Sequence, residues 1–183
     1  MAHEGALRKI NRFITTHDSA GKAVFSNALS DESEMKPLPD NMGFALSYST
    51  SGFPVDLNSE TDITSYTSYL ANPPGLTVSN GTVLRHVDFP PGYTCSMHRT
   101  VSLDYGVVIE GEVEAVLDSG ETRIMRRGDV CIQRGTMHAW RNTSSTEWCR
   151  MMFVLQPCKP LDLGRGKLGE EFEQTMEGVR SSD

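Results

Sequence analysis

His98, Thr100, Ser102 and Asp104 fall at alternate positions, and His138 follows about forty residues later. In a strand, successive side chains take opposite faces, so a continuous strand puts all four on one face. Polar groups turned into a barrel interior are costly without partners, and a bound metal is one such partner. A hairpin in between would return His138 to the side of His98. Two imidazoles and one carboxylate on a common face, with positions left open, is the facial arrangement of non-haem iron sites. Fe(II) there suits oxygen chemistry. Zn or Mn suits a bound water or a polarised carbonyl, and so hydration, isomerisation or decarboxylation.

The flanking turns have their own spacing. Gly92 is followed by five residues, His98-Arg99-Thr100, three residues, Asp104, six residues and Gly111. Further on stand Gly128, Gly135, His138 and Asn142. This order and spacing resemble the two signature motifs of the cupin superfamily. Thr100 stands where that family has a second histidine, Asp104 where it has glutamate, and Gln133 where it has proline in the second turn. The wording of the motifs is similar to that of small single-domain cupins, including fungal proteins of polyketide biosynthesis described as oxidoreductases. The resemblance implies an all-β, cupin-type double-stranded β-helix, or jelly-roll barrel. It implies a divalent metal, Fe(II) first and Zn or Mn next, with a site that has lost its metal as the further alternative. It also implies a homodimer.

Three functions fit these residues. The first is a metal-dependent oxidoreductase acting on a small apolar or aromatic, polyketide-type intermediate of secondary metabolism. The second is a metal-independent dehydratase, cyclase or isomerase with Asp104, Tyr105 or His138 as general acid or base. The third is a small-molecule-binding module without turnover. The metal candidates are His98, Asp104 and His138, and the catalytic candidates are Asp104, Tyr105 and His138. Candidate substrate contacts are Arg99, Thr100, Gln133, Trp140 and Arg85. Tyr105 and Trp140 combine apolar area with a polar tip. Core packing explains Trp140 as well. Asp104 is a methylene shorter than glutamate and can instead orient a neighbour from behind the metal.

Bulk properties narrow the partners. A net charge of −7 over 183 residues disfavours nucleic acid and anionic membranes, which call for a basic patch. No run of apolar residues is long enough to span a bilayer. The opening Met1-Ala2-His3-Glu4-Gly5 lacks the apolar core of a secretory signal, so a cytoplasmic protein is expected. Cys95, Cys131, Cys149 and Cys158 form no C-x-x-C pair, which argues against a thiolate zinc site and for reduced thiols. Cys95, three residues before His98, is a candidate for the pocket wall.

These residues require a scaffold of short strands and glycine turns, which argues for a closed all-β fold. Residues 81–157 are expected to form the barrel. Residues 1–80 supply an N-terminal β extension and a long loop packed on it, and residues 158–183 a tail. A hairpin turns at residues 17–21, another at 118–120, and residues 148–156 make the closing strand. Along 81–89, either Arg85 or His86 faces inward, not both. Residues 51–74 are polar and proline-bearing and are expected to be a loop, either a lid over the barrel mouth or an insertion packed outside. Residues 168–177 have helix-forming composition, with Phe172 and Met176 four apart, and are expected to form a short C-terminal helix.

Overall fold

The structure, a computed structural model, describes residues 7–164, 166–175, 178–180 and 182. The strands are β1 (Ile10–Asn11), β2 (Thr15–His17), β3 (Ala23–Phe25), β4 (Glu32–Ser33), β5 (Lys36–Pro37) and β6 (Gly43–Ser51), after which come a single 3-10 turn (Asn58–Glu60) and the helix α1 (Thr61–Ala71). Then follow β7 (Gly81–Phe89), β8 (His98–Arg99), β9 (Ser102–Glu110), β10 (Glu112–Leu117), β11 (Thr122–Arg126), β12 (Val130–Arg134), β13 (His138–Arg141), β14 (Cys149–Pro157) and β15 (Glu171–Phe172).

Two antiparallel sheets make the barrel. One runs β12-β9-β14-β7-β6-β5 and the other β11-β10-β13-β8-β15. Alternation along the strands decides what lies between them. Val83, Val87, Phe89, Val108 and Met151 of the first sheet are buried, as are Val113, Ala115 and Trp140 of the second. Trp140 and Phe153 meet across the interior, ring centroids 5.6 Å apart. Gly106 makes room for that contact, because a Cβ there would lie 2.9 Å from the Phe153 ring. This is the all-β double-stranded β-helix that the resemblance to cupins implied.

The hairpin at residues 17–21 forms between β2 and β3, where Asp18 accepts hydrogen bonds from the amides of Ala20 and Lys22. The turn at 118–120 joins β10 to β11, and the closing strand is β14. Strand β6 pairs with β7 along nearly its whole length, so this part of the N-terminal region lies within the barrel sheet itself.

Two expectations need correction. Residues 61–71 are not loop but helix α1, packed on the outer face of β6. Ile63 and Tyr66, three apart, are buried there, and the Tyr66 hydroxyl donates to the Leu46 carbonyl at 2.7 Å. The sequence hid this helix because serine and threonine favour turns. Here Thr67 and Ser68 instead spend their hydroxyls on the carbonyls of Ile63 and Ser65. The second correction is at the C-terminus. Glu171 and Phe172 form strand β15 on the edge of β8, pairing with Arg99 and His98, instead of a helix. The open backbone groups of that edge outweigh a modest helical preference that Gly169 already weakens. Met176 and Glu177, the end of the expected helix, lie outside the described residues, as do residues 1–6.

Candidate active site

Strands β8 and β13 lie side by side, and the residues they pair are His98 and His138. The two imidazole centroids are 4.4 Å apart, with the rings tilted by 49°. Each Nδ1 lies against the carbonyl two residues earlier, His98 on Ser96 at 2.8 Å and His138 on Thr136 at 2.9 Å. A carbonyl only accepts, so each Nδ1 carries the hydrogen and each Nε2 keeps its lone pair. Burial drives both pKa values down, His138 to about 3 with the neighbouring His98 adding to the effect. Both rings are therefore neutral at physiological pH, the state that binds metal.

The face expected from the alternation of His98, Thr100, Ser102 and Asp104 exists. All four are buried, although the strand breaks between β8 and β9. The Thr100 and Ser102 hydroxyls are 2.6 Å apart, and Thr100 donates to Oδ2 of Asp104 at 3.5 Å. The other oxygen, Oδ1, is buried without a partner. Burial pushes the Asp104 carboxyl up to about 7, against the opposing hydroxyls of Ser102 and Thr100. A carboxyl with that pKa can give or take a proton near neutrality.

His98, Thr100, Asp104, His138 and Trp140 line one cavity of about 50 Å³, walled otherwise by apolar side chains such as Phe89, Phe153 and Leu155. That is room for a water or two, or for one small functional group. Trp140 meets His138 edge to face at 5.5 Å. Arg85, not His86, faces inward and lines this cavity. Cys95 does too, and accepts a hydrogen bond from the Trp140 amide at 3.0 Å. Its thiol, pushed up to about 12 by burial, stays protonated.

Two neutral imidazoles on one cavity wall are a donor type that suits a divalent ion, which His98 and His138 would hold. The expected three-ligand set is not gathered. Among the described residues no group of three His, Cys, Asp or Glu side chains is placed to hold a metal ion, and Asp104 lies elsewhere on the same cavity wall.

Other candidates are dispersed. Tyr105 faces the opposite way from Asp104 on β9 and is exposed. Arg99 is committed to the C-terminal strand, bonded to the Gly169 carbonyl and paired with Glu171. Gln133 is buried opposite Asp104 in the β12–β9 ladder, its Oε1 accepting from Thr136 at 2.5 Å and its Nε2 unpartnered. Asn142 is structural. Its Nδ2 donates to the carbonyls of Phe89, Pro90 and Glu147, which ties down the turn that precedes β8. Sequence reasoning missed Phe44 and Leu76 in the wall, which lie outside both motifs. It also missed Phe172, which stacks on His98 at 6.0 Å. No local signal marks them, since each arrives through long-range pairing.

Comparison with known proteins identifies the family. A family model described as "Cupin domain" matches residues 85–155. "Phomopsin biosynthesis cluster protein C'" of Diaporthe leptostromiformis is 49% identical, over 89% of this chain and 86% of its own. "Oryzines biosynthesis cluster protein J" of Aspergillus oryzae is 40% identical, over 90% of this chain and 92% of its own. "Cupin-domain-containing oxidoreductase virC" of Hypocrea virens is 43% identical, over 85% and 79%. Sequence likeness along nearly the whole chain, the paired histidines and the two-sheet barrel agree: the chain belongs to the cupin-domain family.

Proposed function

We propose that this protein is a metal-dependent cupin oxidoreductase, acting on a small apolar or aromatic intermediate of secondary-metabolite biosynthesis. The observation that carries the reading is the His98–His138 pair. Both rings are neutral, fixed at Nδ1 and free at Nε2, on adjacent strands facing one cavity. Relatives named as oxidoreductases and as biosynthesis cluster proteins support the reaction and substrate class. A divalent ion, Fe(II) before Zn or Mn, would supply Lewis acidity and, as iron, one-electron chemistry with oxygen. His98 and His138 would hold it. Asp104 serves the proton: its unpartnered Oδ1 takes a hydrogen from substrate, and Thr100 steadies Oδ2. Trp140 and Phe153 exclude water and present an apolar wall.

Metal analysis of protein purified without added metal, beside His98→Ala and His138→Ala, tests this. Near-stoichiometric iron lost from both variants is the expected result. A folded protein that takes up no offered metal would overturn it. A second reading rests on Asp104 itself, whose carboxyl near neutrality suits a metal-independent isomerase or dehydratase. Turnover that persists in chelator and without oxygen would favour that reading. The same family reading makes the chain a homodimer. Exposed Tyr105, Val130 and Ile132, clustered on neighbouring strands β9 and β12, support it, and light scattering tests it.

A further inference from the structure

Arg85 is 5% exposed and stands on the inner face of β7. It lines the small cavity with the histidines, and also a second cavity of about 280 Å³. Phe44 is the other residue shared by both walls. The guanidinium lies over the Phe44 ring, 5.0 Å from its centroid, and Nη2 donates to the Gly75 carbonyl at 3.0 Å. Nη1 is buried with no acceptor. Among the described residues Arg85 makes no ion pair. Burial pulls its pKa down to about 10, which leaves it charged at neutral pH.

The contrast with Arg150 is instructive. Arg150 is equally buried, and both oxygens of Asp88 clasp it at 2.6 Å. The fold thus neutralises one interior guanidinium and leaves the other without a counter-ion, at a cost to stability. What would complete Arg85 must be anionic, must offer acceptors to the two N–H groups of Nη1, and must tolerate apolar surroundings. A carboxylate meets all three conditions. A phosphate dianion would need several more donors, and the outer cavity wall supplies no surplus of positive charge, since Glu32 and Glu34 stand there beside Arg12 and Lys36.

We propose that Arg85 anchors a carboxylate of the substrate at the wall between the two cavities. The apolar body of the ligand lies in the outer cavity against Leu46, Tyr69 and Leu70, and its reactive end enters the inner cavity beside the histidines. Only that last clause rests on the oxidoreductase reading. Carboxylate binding by Arg85 stands without it.

The test uses full-length, chelator-treated protein and titration calorimetry with matched probes, benzoate against benzamide and hexanoate against hexanamide. At least one acid is expected to bind about tenfold or more tighter than its amide, in line with a charge-assisted bond. Arg85→Met should bring the pair within about twofold, while Arg85→Lys should retain part of the preference. His98→Ala should lack metal as purified and, after the same chelator treatment, keep the preference, which separates failure of the metal reading from failure of this one. Acid and amide binding alike, or neither binding, to the wild type overturns the proposal. So does a preference that survives in folded Arg85→Met, or one lost in His98→Ala but kept in Arg85→Met. If Arg85→Met does not fold, Arg85→Gln takes its place, and the wild-type comparison is decisive on its own.

Discussion

At the scale of single residues, burial sets protonation states. His86, His98 and His138 all have lowered pKa values, chiefly through burial. The unfolded chain would protonate them near pH 6.5, where the folded chain refuses. Their contribution to stability is therefore full above that pH and is lost as the pH falls below it. Asp104 acts in the opposite sense. Its folded carboxyl holds a proton up to about pH 7, whereas the unfolded one releases it near pH 4, so burial of Asp104 costs stability as the pH rises through that window. Three imidazoles outweigh one carboxyl. The urea midpoint of metal-free protein is expected to be lower at pH 5 than at pH 7.5, and a higher midpoint at pH 5 would mean that Asp104 dominates. Asp104→Asn is expected to raise the midpoint at pH 8 and not at pH 5. Equal effects at both values would show that the carboxyl is not perturbed.

At the scale of elements, the sheets depend on a few contacts that admit no substitute. Asp88 and Arg150 pair across β7 and β14, and Arg150 also donates to the Arg8 carbonyl at 2.7 Å. Asp88→Ala strands a buried guanidinium and is expected to cost about 3–5 kcal/mol in urea denaturation. A loss below about 1 kcal/mol would mean that water reaches Arg150. Gly81 begins β7 so close to β6 that a Cβ would sit 1.9 Å from the Thr50 carbonyl oxygen. Gly81→Ala must part those strands and is expected to cost at least about 1–3 kcal/mol. A melting temperature equal to that of the wild type would refute that close approach. The strand β15 has a different role: it closes the edge beside His98, and Phe172 covers that ring.

At the scale of the whole molecule, folding and metal binding are one equilibrium if His98 and His138 hold the ion, because the unfolded chain does not keep those rings 4.4 Å apart. Adding metal at a hundred times its dissociation constant is expected to stabilise the wild type by about 2.7 kcal/mol and to leave His138→Ala unchanged. Equal stabilisation of both proteins would place the ion elsewhere. The ends of the described chain also fasten onto the barrel. Arg8 reaches Arg150, the Glu173 amide donates to the Met97 carbonyl, and the Thr77 amide donates to the Ser182 hydroxyl. Among the described residues no helix is long and apolar enough to cross a membrane.

Alternation and glycine spacing by themselves determined the barrel, the polar inner face from His98 to Asp104, and the meeting of His98 with His138. These depend on the two-residue period of a strand and on turns of fixed length, both local properties. The sequence left the choice between Arg85 and His86 open, because either parity of β7 reads as a strand. Pairing with β6 decided it, by placing Leu46 opposite Arg85 on the inner face. Tyr105 went outward for the same reason of period that sent Asp104 inward. The helix over residues 61–71, the strand at 171–172 and the commitment of Arg99 to Glu171 were decided only by tertiary structure. There the local preferences are weak, and burial against β6 or an open strand edge supplies the larger free energy.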